Sequence, residues 1–382
     1  MNKKEIFKEE INLIKQAGLY RELKVLDSPV DAVVNISGRE YINFSSNNYL
    51  GLATHPEIKK AAIEAIEKWG SGSGASRLIC GTSRAAYELE EELAKFKSAE
   101  SAIVFSTGYM ANLGVITSIV GKDDVVIIDK LNHASIIDGC RMSGATVRAY
   151  NHCDMDSLEK ILKVSHKYRR RLIITDALFS MEGDIAPLTE IAELGEKYDA
   201  LTMVDEAHST GVFGETGAGL VQQFGLTGKI DIQMGTLSKA VGCVGGYVAG
   251  SKDLIEFLRN KARSFIYSTA LPQSDYASSK KSIEIIKSNP QLRKQLRDNI
   301  TYFKSKLDKL GLDTLNSQSQ IIPIVIGDPK KTIETANRLQ EKGLLIMGIR
   351  PPTVKRATSR LRISIMATHT KEQLDRCIEE LR

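Results

Sequence analysis

The sequence predicts an α/β protein: a large unit built on a mainly parallel sheet covered by helices, then a smaller C-terminal α/β unit. Three observations predict it. From Ser101 onward, short apolar runs recur without polar alternation, at 102–105, 125–128, 146–150, 172–175, 201–204, 232–234 and 247–249. Strands covered on both faces read this way. Amphipathic stretches at 155–164 and 188–198 fall between them, as crossover helices would. After about residue 276 the pattern changes to a long helical stretch and a second, shorter α/β series.

Taken in order, residues 1–26 have Ile6, Ile11, Ile14 and Leu19 near helical spacing and predict a helix. A short β region follows at 32–36 and 41–44, turning at Ser37-Gly38. These make an N-terminal segment, 1–45, ahead of a large unit at 46–275 and a small one at 276–382. SSNNYLGL, 45–52, is a polar loop closing on a helix near His55-Pro56, where proline suits a first turn. GSGSG, 70–74, lacks the Gly-Lys-Ser/Thr of a P-loop and has no apolar strand before it, so it reads as a mobile connector. In the small unit, 278–310 predicts one long helix, and 321–326 a strand whose Pro323 places it at an edge. A helix over 332–342 stops at Gly343. Residues 360–366 alternate, with Leu361, Ile363 and Ile365 on one face and Arg360, Arg362, Ser364 and Met366 on the other. Thr370 and Gln373 have capping-box spacing for a last helix.

A chain of 382 residues, 42% hydrophobic and 26% charged, suits two units with a sizeable buried interior. The net charge of +5 is spread along the chain, which argues against a nucleic-acid partner. The densest basic run, 167–171, reads as a solvated helix end. Five cysteines without CxxC spacing argue against a disulfide framework and a structural zinc site, and no metal is expected. The charged N-terminus lacks a signal-peptide core, and no apolar run nears the ~18 residues of a membrane span. A cytoplasmic protein without membrane contact is expected.

The candidate chemistry centres on Lys239, in IQMGTLSK and followed by AVGCVGG. A lysine amine forms a Schiff base with an aldehyde once burial or charge lowers its pKa. Asp205 lies 34 residues earlier (239 − 205 = 34), at the end of the run LTMVD. A carboxylate at the mouth of a buried strand suits a ligand site. A buried lysine with an aspartate for a pyridinium nitrogen is the pairing that pyridoxal phosphate requires. Taken alone, the two residues fit a surface lysine and a helix cap equally well. Ser106, Thr107, Gly108 and Tyr109 follow a strand and open a helical stretch, where backbone N–H groups hold phosphate. His133, in LNHASIIDG, is a candidate to stack on a flat ring, although such a histidine alone more often caps a helix or fills a core.

The stretches SSNNYLGL, GSGSGASRLICGT, STGYMAN, LNHASIIDGCRMSGA, DALFSMEGDIAPL, MVDEAHSTGVFGETG, GTLSKAVGCVGGY, YSTALP and IRPPTV…SRLRISIMATHT stand in one order over nearly the whole chain. Together they resemble the α-oxoamine synthases, pyridoxal-phosphate acyltransferases with the aspartate-aminotransferase-like fold (fold type I). The resemblance implies that Lys239 carries the cofactor and later moves the proton, that Asp205 pairs with the pyridine nitrogen, and that His133 stacks on the ring. It places Ser180 and His208 beside the ring and its phenolic oxygen. Gly108, Tyr109, Thr236 and a neighbouring subunit's Thr269 would hold the phosphate, in a homodimer with shared sites. Arg362 would hold the amino-acid carboxylate, with Asn47 and Arg21 near the substrate.

The implied substrates are an amino acid and an acyl thioester, on coenzyme A or a carrier protein. GASRLI, CRMSGA and IRPPTV…TSRLRI look most like members joining L-alanine to a pimeloyl thioester, while SSNNYLG, ICGT and ATHT also suit members joining glycine to an acetyl group. Intact Lys239, Asp205, His133, His208 and Arg362 argue against a non-catalytic cofactor-binding protein. One departure stands out: many relatives carry a histidine in the GT…LE segment, where this chain has Ala86 beside Tyr87.

Overall fold

The computed structural model describes residue 3 and residues 5–382; Met1, Asn2 and Lys4, part of the expected N-terminal helix, lie outside them. Thirteen strands are described: β1 (Val33–Ile36), β2 (Arg39–Asn43), β3 (Ser101–Phe105), β4 (Val125–Asp129), β5 (Thr146–Tyr150), β6 (Arg171–Asp176), β7 (Leu201–Asp205), β8 (Ile232–Thr236), β9 (Gly246–Gly250), β10 (Ile321–Gly327), β11 (Leu344–Leu345), β12 (Met347–Ile349) and β13 (Ser359–Ser364). The large sheet has seven strands in the order β3-β9-β8-β7-β6-β4-β5. Only β9 runs antiparallel to its neighbours. All seven expected runs are strands, shifted by no more than two residues at either end.

Both faces of this sheet are covered, which explains the unbroken apolar runs. Ile103, Val126, Ile174, Met203 and Met234 pack into one core. Val104, Ile127, Ile173 and Val204 point the other way into a second core. That second core continues into Ile322, Ile324, Leu361 and Ile363 of the small sheet. Each fully buried aliphatic side chain here contributes roughly 1.5–3 kcal/mol of transfer free energy.

The small sheet is antiparallel, in the order β10-β13-β12. Pro323 therefore sits on an edge strand, as expected. β2 pairs in parallel with β11, and Ser364 N–H donates to Phe44 O at 2.8 Å, so the N-terminal segment is sewn to the C-terminal part of the chain. The closing helix Lys371–Glu380 has the reciprocal Thr370–Gln373 capping box. Among the described residues no helix is long and apolar enough to cross a membrane.

Three expectations need correction. The N-terminal helix covers only Ile6–Gln16. Gly18 turns left-handed at φ +68°, and the bonds Gly18 N–H to Lys15 O and Leu19 N–H to Ile14 O close a Schellman cap. The long helix over 278–310 is two helices, Gln273–Ser288 and Pro290–Leu310, because Pro290 has no N–H with which to continue the first. The basic run 167–171 is not a helix end. The helix Met155–Lys163 has already stopped, and Arg169 forks onto the buried Asp124 carboxylate at 2.8 and 2.9 Å.

Candidate active site

The C-terminal ends of β4, β6, β7 and β8 lie along one edge of the large sheet and finish on Asp129, Asp176, Asp205 and Thr236. Asp176 and Asp205 are register partners on adjacent strands. Beyond β8 the chain folds back on itself. Leu237 N–H bonds Gly245 O at 2.9 Å, and Gly242 N–H bonds Lys239 O at 2.9 Å. Gly242 is left-handed at φ +73°, and a Cβ there would stand 2.5 Å from Ala53 N, so only glycine completes the turn that presents Lys239. Lys239 keeps partial solvent access. Desolvation by the surrounding protein brings its pKa down to about 8, Asp205 and Asp176 oppose that fall, and the charge of Arg362 adds to it.

Asp205 is buried and held on both oxygens, by Ala207 N–H at 2.9 Å and by the Asn112 amide at 2.8 Å. Asp176 accepts the backbone N–H of His133 at 2.9 Å. Burial, then the neighbouring charge of Asp205, raises the Asp176 carboxyl well above the usual range. Asn112 Oδ1 is buried with no hydrogen-bond partner among the described residues, a cost of about 1–3 kcal/mol. His133 is accessible and also caps the helix Ala134–Ser143 by accepting Ser135 N–H, the capping role its sequence setting suggests. His208 is buried, with Nδ1 2.7 Å from Tyr49 Oη. Burial lowers its pKa well below the ordinary value, and the charges of Lys239 and Arg362 lower it further.

Glu206, next to Asp205, forms a fully buried ion pair with Lys97, which also donates to Ala218 O. The same carboxylate accepts Ser209 Oγ at 3.1 Å and Val221 N–H at 3.0 Å. This strut fixes the loop that carries Asp205 and His208. Lys97→Met would strand the Glu206 charge in the core and is expected to cost about 3–5 kcal/mol. Urea unfolding that showed a loss under about 1 kcal/mol would contradict the assignment.

Gly108 opens the helix Gly108–Ile119, and Thr107 caps it through Met110 N–H at 3.1 Å. The backbone of Gly246 crowds the same point: a Cβ on Gly246 would lie 2.6 Å from Gly108 N. Thr236 Oγ1 lies 2.8 Å from Ser238 Oγ, and Tyr109 donates to Asp138 at 2.5 Å. Thr269 O accepts Ser106 Oγ at 3.1 Å, which joins the chain's own 269 segment to this loop. Ser76 pairs with Thr269 and Ser73 donates to Ala270 O, so the glycine-rich connector is tied to the same segment.

Arg362 and Arg360 share one face of β13, as the alternation predicts, and both are buried. Arg360 is engaged by Glu182 at 3.0 Å and Met181 O at 3.1 Å. Arg362 binds Ser180 O through Nε at 2.7 Å and sends its outer nitrogens to Ser364 and Asn47, beside Tyr49. The structure thus joins Lys239, Asp205, His133, His208, Ser180, Asn47 and Arg362. Arg21 is outside this group: it is exposed, on the segment that Arg350 ties down through Gly18 O and Tyr20 O. Ala86 is fully buried, and Tyr87 is about half exposed. The sequence reading assigned no part to Asn112, Ser135, Asp176 and Tyr49. Each stands inside or beside a quoted motif, but its contacts come from neighbouring strands and loops.

Asp129, His152 and Cys153 also cluster. His152 lies between Asp129 at 3.0 Å and Asp184 at 2.8 Å, and these carboxylates outweigh burial to push its pKa up to about 12. Cys153 Sγ is 3.7 and 3.8 Å from the two ring nitrogens, so it faces neither lone pair as a shared metal would require.

The chain matches the family model for aminotransferase class I and II over residues 39–381. It is 52% identical over 376 residues to an 8-amino-7-oxononanoate synthase of Thermoanaerobacter pseudethanolicus, covering 98% of this chain and 95% of that one. This chain belongs to the class I and II aminotransferases, among the α-oxoamine synthases. A second 8-amino-7-oxononanoate synthase, from Symbiobacterium thermophilum, is 52% identical to this synthase over 371 residues, 97% of this chain and 95% of that one. Among solved structures, a variant serine palmitoyltransferase of S. paucimobilis with a bound PLP–myriocin aldimine superposes with a TM-score of 0.93 at 34% identity, covering 98% and 95% of the two chains. An 8-amino-7-oxononanoate synthase from Francisella tularensis superposes at 0.79 with 30% identity over 89% and 96%. The synthase has fold type I and is a pyridoxal-phosphate-dependent C-acyltransferase. Its residues fit that cofactor: a desolvated lysine, a doubly anchored carboxylate at a strand mouth, and a glycine-opened helix start whose first backbone N–H groups suit an anion.

Proposed function

We propose that this enzyme makes 8-amino-7-oxononanoate by joining L-alanine to a pimeloyl thioester with loss of carbon dioxide. The observation that carries the reaction class is Lys239, its pKa brought close to neutral, set among Asp205, Asp176 and the buried Arg362. Relatives at 52% identity over nearly the whole chain support this choice of product.

Pyridoxal phosphate, when bound, supplies an electron sink for a carbanion at the amino-acid α-carbon. Asp205 holds a proton on the pyridine nitrogen by opposite charge. His133 would pack on the ring, and Ser180 and His208 would stand near its phenolic oxygen. Gly108, Tyr109 and Thr236 hold the phosphate. Lys239 takes the proton from the α-carbon. Arg362 grips the substrate carboxylate, with Asn47 beside it. Arg362→Lys keeps the charge but loses the planar fork, so amino-acid KM should rise at least tenfold with little change in cofactor affinity, about 1.4 kcal/mol of binding. Arg360→Lys should be milder, since Arg360 is already engaged by Glu182. The reverse order in steady-state kinetics would place the carboxylate two residues away.

Only the neutral lysine amine attacks an aldehyde. Cofactor uptake by the cofactor-free protein should therefore rise with pH through a midpoint of about 8 and level off above it. Stopped-flow absorbance that stayed flat across this window would contradict a desolvated Lys239.

The active unit is a homodimer, in which Thr269 reaches the partner's phosphate. Exposed Leu78, Ile79 and Tyr267 support this, because the Ser76–Thr269 pairing brings the two segments that carry them together. The five free cysteines support a cytoplasmic setting.

Release of free thiol tests the function. Alanine with pimeloyl-CoA or the pimeloyl-carrier thioester should give the fastest turnover in a matrix with glycine and serine, and with acetyl-CoA. Preference for glycine with acetyl-CoA would overturn the assignment in favour of a glycine C-acetyltransferase, and no thiol release from any pair would overturn catalysis.

A further inference from the structure

Two site residues, His133 and Asp205, are joined through two buried side chains, Ser135 and Asn112, in one line of hydrogen bonds. His133 Nδ1 lies 2.8 Å from Ser135 Oγ. Asn112 Nδ2 lies 2.9 Å from the same Oγ and 2.8 Å from Asp205 Oδ2. Ser135 and Asn112 are each 1% exposed, so water does not compete for the Asn112–Ser135 bond.

Counting donors gives the line a direction. A carboxylate only accepts, so Asn112 must turn its nitrogen, not its oxygen, toward Asp205. Its second amide hydrogen goes to Ser135 Oγ. The Ser135 backbone N–H points at His133 Nδ1 at 3.3 Å, which favours the tautomer in which that nitrogen carries no proton and accepts. The Ser135 hydroxyl, having accepted from Asn112, gives its own hydrogen to the same nitrogen. Other groups act on the ring as well. Burial and Lys239 disfavour a charged imidazole, while Asp205 and Asp138 favour one, and Asp176 holds the backbone N–H of His133.

We propose that Ser135 and Asn112 are positioning residues that keep His133 neutral, protonated on Nε2, and hold Asp205 in line with it. A neutral imidazole adds no positive charge against the cofactor ring, which leaves protonation of the pyridine nitrogen to Asp205. That consequence rests on the function proposed above; the tautomer does not.

Nitrogen NMR of protein labelled at histidine tests the proposal, with and without cofactor, the His133 signal being assigned by its loss in His133→Gln. In the unaltered protein Nδ1 should be bare and Nε2 protonated from about pH 6 to about pH 8, across the ordinary histidine midpoint. Ser135→Ala should raise the charged fraction of His133 at neutral pH about tenfold, a move of one pKa unit, and Ser135→Thr should restore it. In kinetics Ser135→Ala should lower kcat while amino-acid KM stays within about twofold, as loss of transition-state interactions requires. A proton on Nδ1 in the unaltered protein would overturn the proposal even if no variant folds. Unchanged titration in Ser135→Ala would overturn it while leaving the proposed reaction standing.

Discussion

Lys239→Ala should abolish measurable condensation, with a loss of at least ~10²–10⁴-fold from proton transfer alone. The alanine variant loses both the amine that links the cofactor and the base that reaches the α-carbon. The fold should survive, because the turn around Lys239 is closed by backbone bonds and by Gly242, not by the lysine side chain. Thiol release at saturating substrate, read beside an unfolding curve, checks both halves. A stable variant with more than about one-tenth of normal turnover would remove Lys239 from the chemistry.

Asp205→Asn should be nearly as damaging. The amide keeps the carboxylate's shape but cannot hold a proton on the pyridine nitrogen by charge. It also sets a new N–H donor against either Ala207 N–H or the Asn112 amide, both of which now donate to Asp205. Turnover should fall at least ~10²-fold with cofactor still bound, the scale of removing one preorganised electrostatic partner. Equilibrium dialysis of the cofactor beside steady-state rates would separate lost binding from lost chemistry. Near-normal turnover would rule out the electron-sink role of Asp205.

The large sheet was legible because each of its strands is covered on both faces, and an unbroken apolar run between polar turns has few other solutions. Helix ends were less so. Gly18 and Pro290 stop helices by one residue's backbone, and apolar periodicity running through them hid both. The partner of Arg169 is Asp124, far away in sequence, so its place in a turn could not be read locally. The site divides along the same line. Lys239 and Asp205 were found because they sit at or just past strand ends, where a parallel sheet opens to ligands, whereas Thr236 came only with the family resemblance. The pairing of Asp176 with Asp205 depends on which strands lie side by side, and the link from His133 through Ser135 and Asn112 depends on a helix start packing against a strand end. Motif order could point to those neighbourhoods but not to those contacts.

The central claim is that Lys239 is the reactive group around which the strand ends are arranged. Borohydride reduction of the cofactor-loaded protein, followed by peptide mass mapping, tests it most directly. A single phosphopyridoxyl mass on the peptide containing Lys239 is the predicted result; the same mass on any other lysine would contradict the account.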